Sequence, residues 1–139
     1  MAMHQKTKNM KDLRDMKYLI VEDQPESRAI MRGMLSELGA TQVFESPNGR
    51  AAFQFIDAAI DMIDIIICDW NMPEMTGMDL LRQLRSVYPD MPFLMVTGRN
   101  DFESVSEAKV GGVTGYISKP YSVTQLEAKL RIVVHRMQK

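Results

Sequence analysis

The sequence is poor in three features that would set it apart from an ordinary globular domain: cysteine, long apolar runs and net charge. Its 139 residues include one cysteine, Cys68, so no disulfide forms within the chain, and a reducing, cytoplasmic environment is expected. The apolar runs are too short to span a membrane, and residues 1–8 lack the apolar core of a signal peptide. A formal net charge of −1 gives no reason to expect nucleic acid or a membrane surface as a partner.

The size and composition are those of one globular domain. Hydrophobic residues make up 45% of the chain and charged residues 25%. A chain of this length buries roughly two thirds of its unfolded surface. Residues 1–16 are polar and show no apolar period, so we expect a flexible or weakly helical tail there, followed by one domain over 17–139.

Short apolar runs alternate with longer segments of helical period along this domain. The runs predict five strands, at 18–21, 42–45, 63–68, 92–96 and 113–118. Helices are predicted to begin at Pro25, Asn48, Thr76, Asp101 and Ser122. Strict alternation predicts a parallel sheet with helices on both faces. The third run is apolar at every position, as a central strand buried on both faces should be.

Polar side chains follow four of these strands. They are Glu22 and Asp23 after the first, Asp69 after the third, Thr97 after the fourth and Lys119 after the fifth. Ligands of such sheets bind beyond the carboxyl ends of the strands, so we expect these side chains to meet at one edge. A strand-end aspartate by itself is most often a helix cap or a turn residue. Three carboxylates at one edge, however, repel one another and raise one another's pKa, which costs stability. A bound cation explains such an arrangement better than three separate caps or turns do.

The predicted edge has the chemistry to hold a cation and a phosphoryl group together. Carboxylate oxygens completed by water suit Mg²⁺. Lys119 supplies a positive charge and Thr97 a hydroxyl for the phosphoryl oxygens. Asp69 is the candidate nucleophile, because a carboxylate can accept a phosphoryl group as an aspartyl phosphate. Cys68 should point to the other side of its strand, and the two histidines lie in the tail and on the last helix.

Motifs around these positions match a known family. The motifs are Val21-Glu22-Asp23, Asp69-Trp70-Asn71-Met72-Pro73, Met95-Val96-Thr97 and Gly115-Tyr116-Ile117-Ser118-Lys119-Pro120-Tyr121. Over about residues 17–137 the chain resembles the receiver domains of two-component response regulators, especially the single-domain chemotaxis type, CheY. The resemblance implies a flavodoxin-like (βα)₅ fold with the strand order 2-1-3-4-5 that is known for CheY.

The resemblance also implies roles at the predicted edge. Asp69 accepts a phosphoryl group from a phosphohistidine on a histidine kinase or a histidine phosphotransfer protein. Glu22, Asp23 and Asp69 bind Mg²⁺ together with the main-chain carbonyl of Asn71. Lys119 pairs with the phosphoryl group.

The remaining implied roles concern a conformational switch. Thr97 turns toward the phosphoryl group, and Tyr116 swings inward behind it. The face formed by the fourth helix, the fifth strand and the fifth helix then changes and binds a protein target. The peptide bond between Lys119 and Pro120 is expected to be cis.

The chain departs from the usual pattern of the family at three positions. The first acid is Glu22 rather than an aspartate, which should preserve metal binding. Gly98 follows Thr97 where alanine is usual, so we expect a looser loop after the fourth strand. Arg99 occupies a position that, with Asn71, tunes hydrolysis of the aspartyl phosphate in this family. Its side chain would either shield the phosphoryl group from water or bind it, and the sequence leaves the direction open.

Two functions of other classes are disfavoured by particular residues. A phosphatase of the haloacid-dehalogenase type needs a second aspartate as acid and base where this chain has Asn71, which cannot transfer a proton. We therefore expect no turnover of outside substrates. A flavodoxin-like FMN carrier needs a loop rich in Ser, Thr and Gly after the first strand, whereas residues 22–25 are acidic.

The output of the chain is expected to be protein binding. We expect no linker and no DNA-binding domain after the last predicted helix. Two alternatives stay open at this point: a phosphate sink that drains a kinase without its own target, and a receiver fragment of a larger regulator.

Overall fold

The computed structural model describes residues 12–137, which form a five-stranded sheet covered by helices on both faces. The strands are β1 (Lys17–Val21), β2 (Gln42–Ser46), β3 (Ile65–Asp69), β4 (Phe93–Thr97) and β5 (Gly115–Ser118). The helices are α1 (Pro25–Glu37), α2 (Gly49–Ala58), α3 (Gly77–Val87), α4 (Phe102–Val110) and α5 (Val123–Met137). The strands pair in parallel in the order β2-β1-β3-β4-β5, which confirms the predicted fold.

The central strand β3 separates two hydrophobic cores. Ile66 and Cys68 face the core that α2, α3 and α4 cover, whereas Ile65 and Ile67 face the core under α1 and α5. Every residue of β3 is buried, as predicted for a strand with helices on both sides. The two apolar faces fix β3 in the middle of the sheet, and its last residue, Asp69, emerges at the carboxyl edge.

The helices begin where the sequence predicts them. α1 starts with Pro25, and side-chain oxygens of Asn48, Thr76, Asp101 and Ser122 accept main-chain N–H groups at the starts of α2 to α5. Because each helix follows a parallel strand, these helix starts all lie on the carboxyl side of the sheet. Within residues 12–137, no helix combines the length and the apolar character that crossing a membrane requires.

Two strands, β3 and β5, begin two residues later than the apolar runs suggest. β3 starts at Ile65, two residues after the predicted start, because the chain first forms a 3-10 turn over Ile60–Met62. β5 starts at Gly115, because the N–H of Val113 still donates to the carbonyl of Ala108 in α4, at 3.1 Å. Local hydrogen bonds thus shorten both strands at their amino ends and leave their carboxyl ends in place.

The predicted flexible tail over 1–16 needs a correction at its end. Residues 1–11 lie outside the described residues, but 12–16 belong to the fold. Leu13–Asp15 forms a 3-10 turn, and Leu13 and Met16 are buried in the core under α5. The carbonyl of Leu13 also accepts the hydroxyl of Tyr18, at 2.7 Å. Sequence reasoning missed this segment because two isolated apolar residues among charges show no period.

Candidate functional site

Glu22, Asp23 and Asp69 come together at the carboxyl edge of the sheet. One carboxylate oxygen from each lies within 4.8 Å of the other two. β1 and β3 are neighbours with Val21 opposite Cys68, so the residues that follow each of these emerge side by side. Glu22 is only 6% exposed and Asp69 only 8%, while Asp23 is half-buried. The strand register therefore forms the acidic cluster that the sequence predicts.

The donor set of this cluster fits Mg²⁺. It offers carboxylate oxygens only, which are the ligands that this cation prefers. Ligand oxygens of an octahedral Mg²⁺ are about 2.9 Å apart when adjacent and about 4.2 Å apart when opposite, so the three side chains would move closer together to hold one ion. The neighbouring thiol of Cys68 is fully buried in the core on the other face of the strand.

Lys119 connects the two most buried acids. Its Nζ lies 3.1 Å from Oδ1 of Asp69 and 3.6 Å from Oε1 of Glu22. Its main-chain N–H donates to the carbonyl of Thr97 at 2.8 Å, which holds the loop after β5 against the end of β4. The bond from Lys119 to Pro120 is cis. The ammonium group thus lies beside the carboxylates, on an exposed side chain that reaches in from the rim.

Burial makes the ionised form of the two buried acids less favourable than in water. Burial raises the pKa of Asp69, and the hydrogen bond and charge of Lys119 oppose that rise. Burial also raises the pKa of Glu22. The hydrogen bond from the main-chain amide of Gln24 lowers that pKa, and the negative charge of Asp69 raises it further. The raised pKa of both acids agrees with the expectation from the sequence. The larger cause, however, is burial away from water and not repulsion between the acids. Additional positive charge at this edge would stabilise the ionised cluster.

Arg99 links Thr97 to Tyr116 through its main chain. Thr97 is fully buried at the end of β4, and its Oγ1 accepts the N–H of Arg99 at 3.0 Å. The hydroxyl of Tyr116, on β5, donates to the carbonyl of Arg99. The loop between β4 and α4 therefore contacts both side chains for which the family resemblance implies a switch.

The side chain of Arg99 lies against the loop that follows Asp69. Its Nε and Nη2 donate to Oδ1 of Asn71, at 3.2 and 3.0 Å, and its guanidinium carbon lies 4.8 Å from the centre of the Trp70 ring. Tyr116 meets Trp70 edge-on, with ring centres 6.5 Å apart. Sequence reasoning placed Arg99 and Asn71 beside the site but missed the stacking on Trp70, for which no spacing in the chain gives a signal.

Two further residues that support the site were missed. A Cβ at Gly77 would collide with the main-chain oxygen of Asp69 and lie 2.9 Å from the Cα of Trp70. The N–H of Gly77 donates to the carbonyl of Trp70 at 2.8 Å, so the start of α3 lies directly against the chain that carries Asp69. The position of Gly77 next to the helix cap Thr76 was the available signal. The second missed residue is Arg28, which contacts the main chain at Glu22.

A cleft of about 450 Å³ opens beside the acidic cluster, between α1 and the loop after β5. Glu22, Asp69 and Lys119 line one part of it, and apolar side chains such as Ile30 and Met34 line the part along α1. Although Asp69 is largely buried, this cleft makes it accessible from outside.

Comparisons with known proteins agree with this geometry. Residues 18–131 match the family model of the response regulator receiver domain. The chain is 38% identical over 121 residues to the chemotaxis protein CheY1 of Helicobacter pylori, covering 86% of this chain and 97% of that protein. It is 36% identical over 124 residues to CheY of Pseudomonas aeruginosa, covering 88% and 98%.

A solved structure shows the same likeness in three dimensions. The chemotaxis protein CheY4 of Vibrio cholerae superposes with a TM-score of 0.77 at 33% identity, covering 85% of this chain and 98% of that one. The order of the strands, the acidic cluster at their carboxyl ends and the family match over most of the described residues lead to one assignment. The chain belongs to the response regulator receiver domain family, and it is similar to chemotaxis proteins of the CheY type.

Proposed function

We propose that this chain is a phosphoacceptor switch of a two-component phosphorelay, with Asp69 as the acceptor. The observation that carries the proposal is the 3.1 Å contact between the ammonium of Lys119 and the buried carboxylate of Asp69, inside a cluster of three acids. A carboxylate with a fixed cation beside it and an open approach is suited to receive an anionic group. The names of its relatives support a place in chemotaxis signalling.

The proposed reaction is transfer from a phosphohistidine of a histidine kinase or a histidine phosphotransfer protein. A carboxylate oxygen of Asp69 attacks the phosphorus, and the bond between phosphorus and the imidazole nitrogen breaks with its electron pair staying on the nitrogen. The products are an aspartyl phosphate and a neutral histidine that has taken up a proton. Attack of water on the same phosphorus later releases inorganic phosphate and restores the carboxylate, so no outside substrate is turned over.

The residues of the acidic edge would hold Mg²⁺ during this transfer. Carboxylates of Glu22, Asp23 and Asp69 and the main-chain carbonyl of Asn71 are the proposed ligands. When bound, the cation supplies neutralising charge for the phosphoryl oxygens. Lys119 supplies positive charge from the other side and keeps the acceptor oxygen in a fixed orientation.

The proposed response is a shift in population between two arrangements of the loop after β4. A phosphoryl group on Asp69 offers new acceptor oxygens to the hydroxyl of Thr97, which now accepts the amide of Arg99. Turning Thr97 toward the phosphoryl group gives up that bond. Since the carbonyl of Arg99 also accepts the hydroxyl of Tyr116, the position of Tyr116 on the α4–β5–α5 face changes with it. A protein target that prefers this form is then bound.

Arg99 and Asn71 are proposed to slow the loss of the phosphoryl group. The bonds of the guanidinium to Asn71 and its stacking on Trp70 keep this long side chain at the rim next to Asp69. In that position we expect it to restrict the approach of water to the phosphoryl group, which favours shielding over the other direction that the sequence leaves open.

Phosphorylation by acetyl phosphate with Mg²⁺, followed by intact mass, tests the proposal. The parent should gain one phosphoryl group, and Asp69→Asn should gain none. Asp64→Asn is the matched control, because it changes the same residue type beside the other end of β3 and should be labelled like the parent. Labelling of Asp69→Asn at the level of the parent would show that the acceptor is another residue.

A further inference from the structure

Arg28, in the first turns of α1, folds its side chain back over the turn that carries Glu22 and Asp23. Its Nη1 donates to the main-chain carbonyl of Glu22 at 2.8 Å. Its Nε donates to Oε1 of Glu45, at the end of β2, at 3.2 Å. The side chain is only 20% exposed, and its bond to the carbonyl of Glu22 is partly protected from water. One guanidinium therefore connects α1, the turn after β1 and the end of β2.

The carbonyl that Arg28 holds belongs to the peptide between the two acids. Glu22 C=O and Asp23 N–H lie in one rigid plane, and that plane fixes the orientation of both Cα atoms. The pairing of β1 with its neighbours ends at Val21, so the plane lies beyond the sheet ladder. The preceding peptide is tied to β2 separately, because the N–H of Glu22 donates to the carbonyl of Ser46 at 3.2 Å.

We propose that Arg28 is a positioning residue for the Mg²⁺ site, acting through the peptide plane that joins Glu22 and Asp23. The inference rests on the proposed function, since it assumes that the acidic cluster binds Mg²⁺. Without the bond from Arg28, the turn rotates more freely, and both carboxylates lose the orientation that brings them to one ion. Groups that orient metal ligands in this indirect way commonly contribute 10- to 100-fold to affinity.

The charge of Arg28 predicts the opposite effect to its geometry. A cation next to a Mg²⁺ site repels the ion, so removal of the charge alone would tighten binding. The charge is only partly balanced locally, because the one carboxylate of Glu45 pairs with both Arg28 and Arg32. The sign of the change in Mg²⁺ affinity therefore separates the two roles.

Arg32 provides a matched control on the same helix. It shares the Glu45 partner and donates to the carbonyl of Val43 at 2.8 Å, which lies within β2 and away from the acids. Arg32→Gln thus removes the same charge and a bond of the same kind between α1 and β2. It leaves the peptide between Glu22 and Asp23 untouched.

Titration of the whole chain with Mg²⁺, followed by Trp70 fluorescence and by calorimetry, tests the proposal. Arg28→Gln should raise the Kd for Mg²⁺ about tenfold, at the lower end of the usual range because it acts through the main chain. Arg32→Gln should keep the Kd of the parent or lower it. Arg28→Lys keeps the charge but loses the planar fork that serves two acceptors, so its Kd should also rise. It replaces Arg28→Gln if urea unfolding shows that the glutamine variant does not fold.

The outcomes separate this inference from the proposed function. If the parent binds Mg²⁺ and the variants at Arg28 bind it as tightly as Arg32→Gln, the positioning role is wrong and the Mg²⁺ site stands. If the parent binds no Mg²⁺, the proposed metal site is wrong and the positioning role with it.

Discussion

Asp64 and Asp69 flank the same strand, one directly before β3 and the other at its last residue. Oδ2 of Asp64 accepts the N–H of Lys17 at 2.8 Å, and this bond joins the beginnings of β1 and β3. Asp69 instead lies among other acids, with a pKa raised by burial and a lysine as its contact. The comparison shows two uses of one side chain. A carboxylate bonded to the main chain stabilises the sheet, whereas a buried carboxylate among other acids keeps its capacity for a cation or a phosphoryl group.

The largest expected effect on stability tests how tightly the main chain is packed at the carboxyl end of β3, where Asp69 lies. Gly77→Ala should lower the free energy of unfolding by about 3 kcal/mol, because the new Cβ collides with the main chain at Asp69 and the backbone must shift. Urea unfolding measures the change. The control is Gly33→Ala within α1, where a Cβ meets nothing within 4 Å and should stabilise the helix by about 0.5–1 kcal/mol. A Gly77→Ala protein as stable as the parent would mean that this loop yields easily.

The next largest effect tests whether Asp64 stabilises the amino end of β3. Asp64→Ala should lower the free energy of unfolding by about 1–2 kcal/mol, since it leaves the N–H of Lys17 without its carboxylate acceptor. Asp61→Ala, an exposed aspartate in the preceding turn, is the control and should change stability by less than about 0.5 kcal/mol. Equal effects of the two substitutions would remove the distinction between the ends of β3.

Unlike the two substitutions above, Asp69→Asn should raise the free energy of unfolding, by about 0.5–2 kcal/mol in EDTA at neutral pH. The raised pKa of Asp69 means that the folded state keeps its proton to higher pH than the unfolded chain does. The free energy of unfolding of the parent therefore falls as pH rises from the ordinary value of 3.8 through the raised pKa. The variant should show a shallower fall, with Glu22 accounting for the remainder.

Urea unfolding across this pH range measures the difference between parent and variant. The advantage of the variant should be small in acid, grow as the pH rises and then level off. Mg²⁺ should raise the stability of the parent by mass action and reduce the advantage of the variant. A variant less stable than the parent at neutral pH without metal would contradict the idea that the ionised Asp69 is held at a cost.

The smallest effect on stability is expected at Arg99, which lies beside the acidic cluster. Arg99→Ala should lower the free energy of unfolding by about 0.5–1 kcal/mol, because it removes exposed contacts of the guanidinium to the Trp70 ring and to Asn71. It should speed hydrolysis of the aspartyl phosphate by up to about tenfold, a barrier change of about 1.4 kcal/mol. The decay of the phosphorylated mass measures this, with Arg50→Ala on α2 as a control at an exposed arginine. Slower hydrolysis in Arg99→Ala would reverse the proposed direction.

The sequence was sufficient for the sheet and for the acidic edge, for a physical reason. Parallel strands end at the same edge of the sheet, so the residues after the apolar runs share that edge whatever the loops do. The shared edge of Glu22, Asp69 and Lys119 follows from that rule, whereas the strand order that makes β1 and β3 neighbours was implied by the resemblance to CheY. The starts of β3 and β5 do not follow from the rule, because hydrogen bonds within the preceding turns shortened both strands.

Contacts between side chains from different loops were beyond the reach of pattern reasoning. Arg99 stacks on Trp70, and Arg28 bonds to the carbonyl of Glu22, because loops and helix rotations bring them there. Neither pair has a characteristic spacing in the chain. The burial of Leu13 was missed for a similar reason, since one apolar residue in a charged segment gives no period.

The burial of Cys68 has a practical consequence. The thiol lies within the core between β3 and the helices, and burial raises its pKa well above the usual value, so it is neither accessible nor ionised enough to react with alkylating reagents. It is also the sole cysteine of the chain. A cysteine introduced on the surface, for example Gln83→Cys on α3, can therefore carry a spin label or a dye as a single defined probe, with the native sequence around Asp69 left intact.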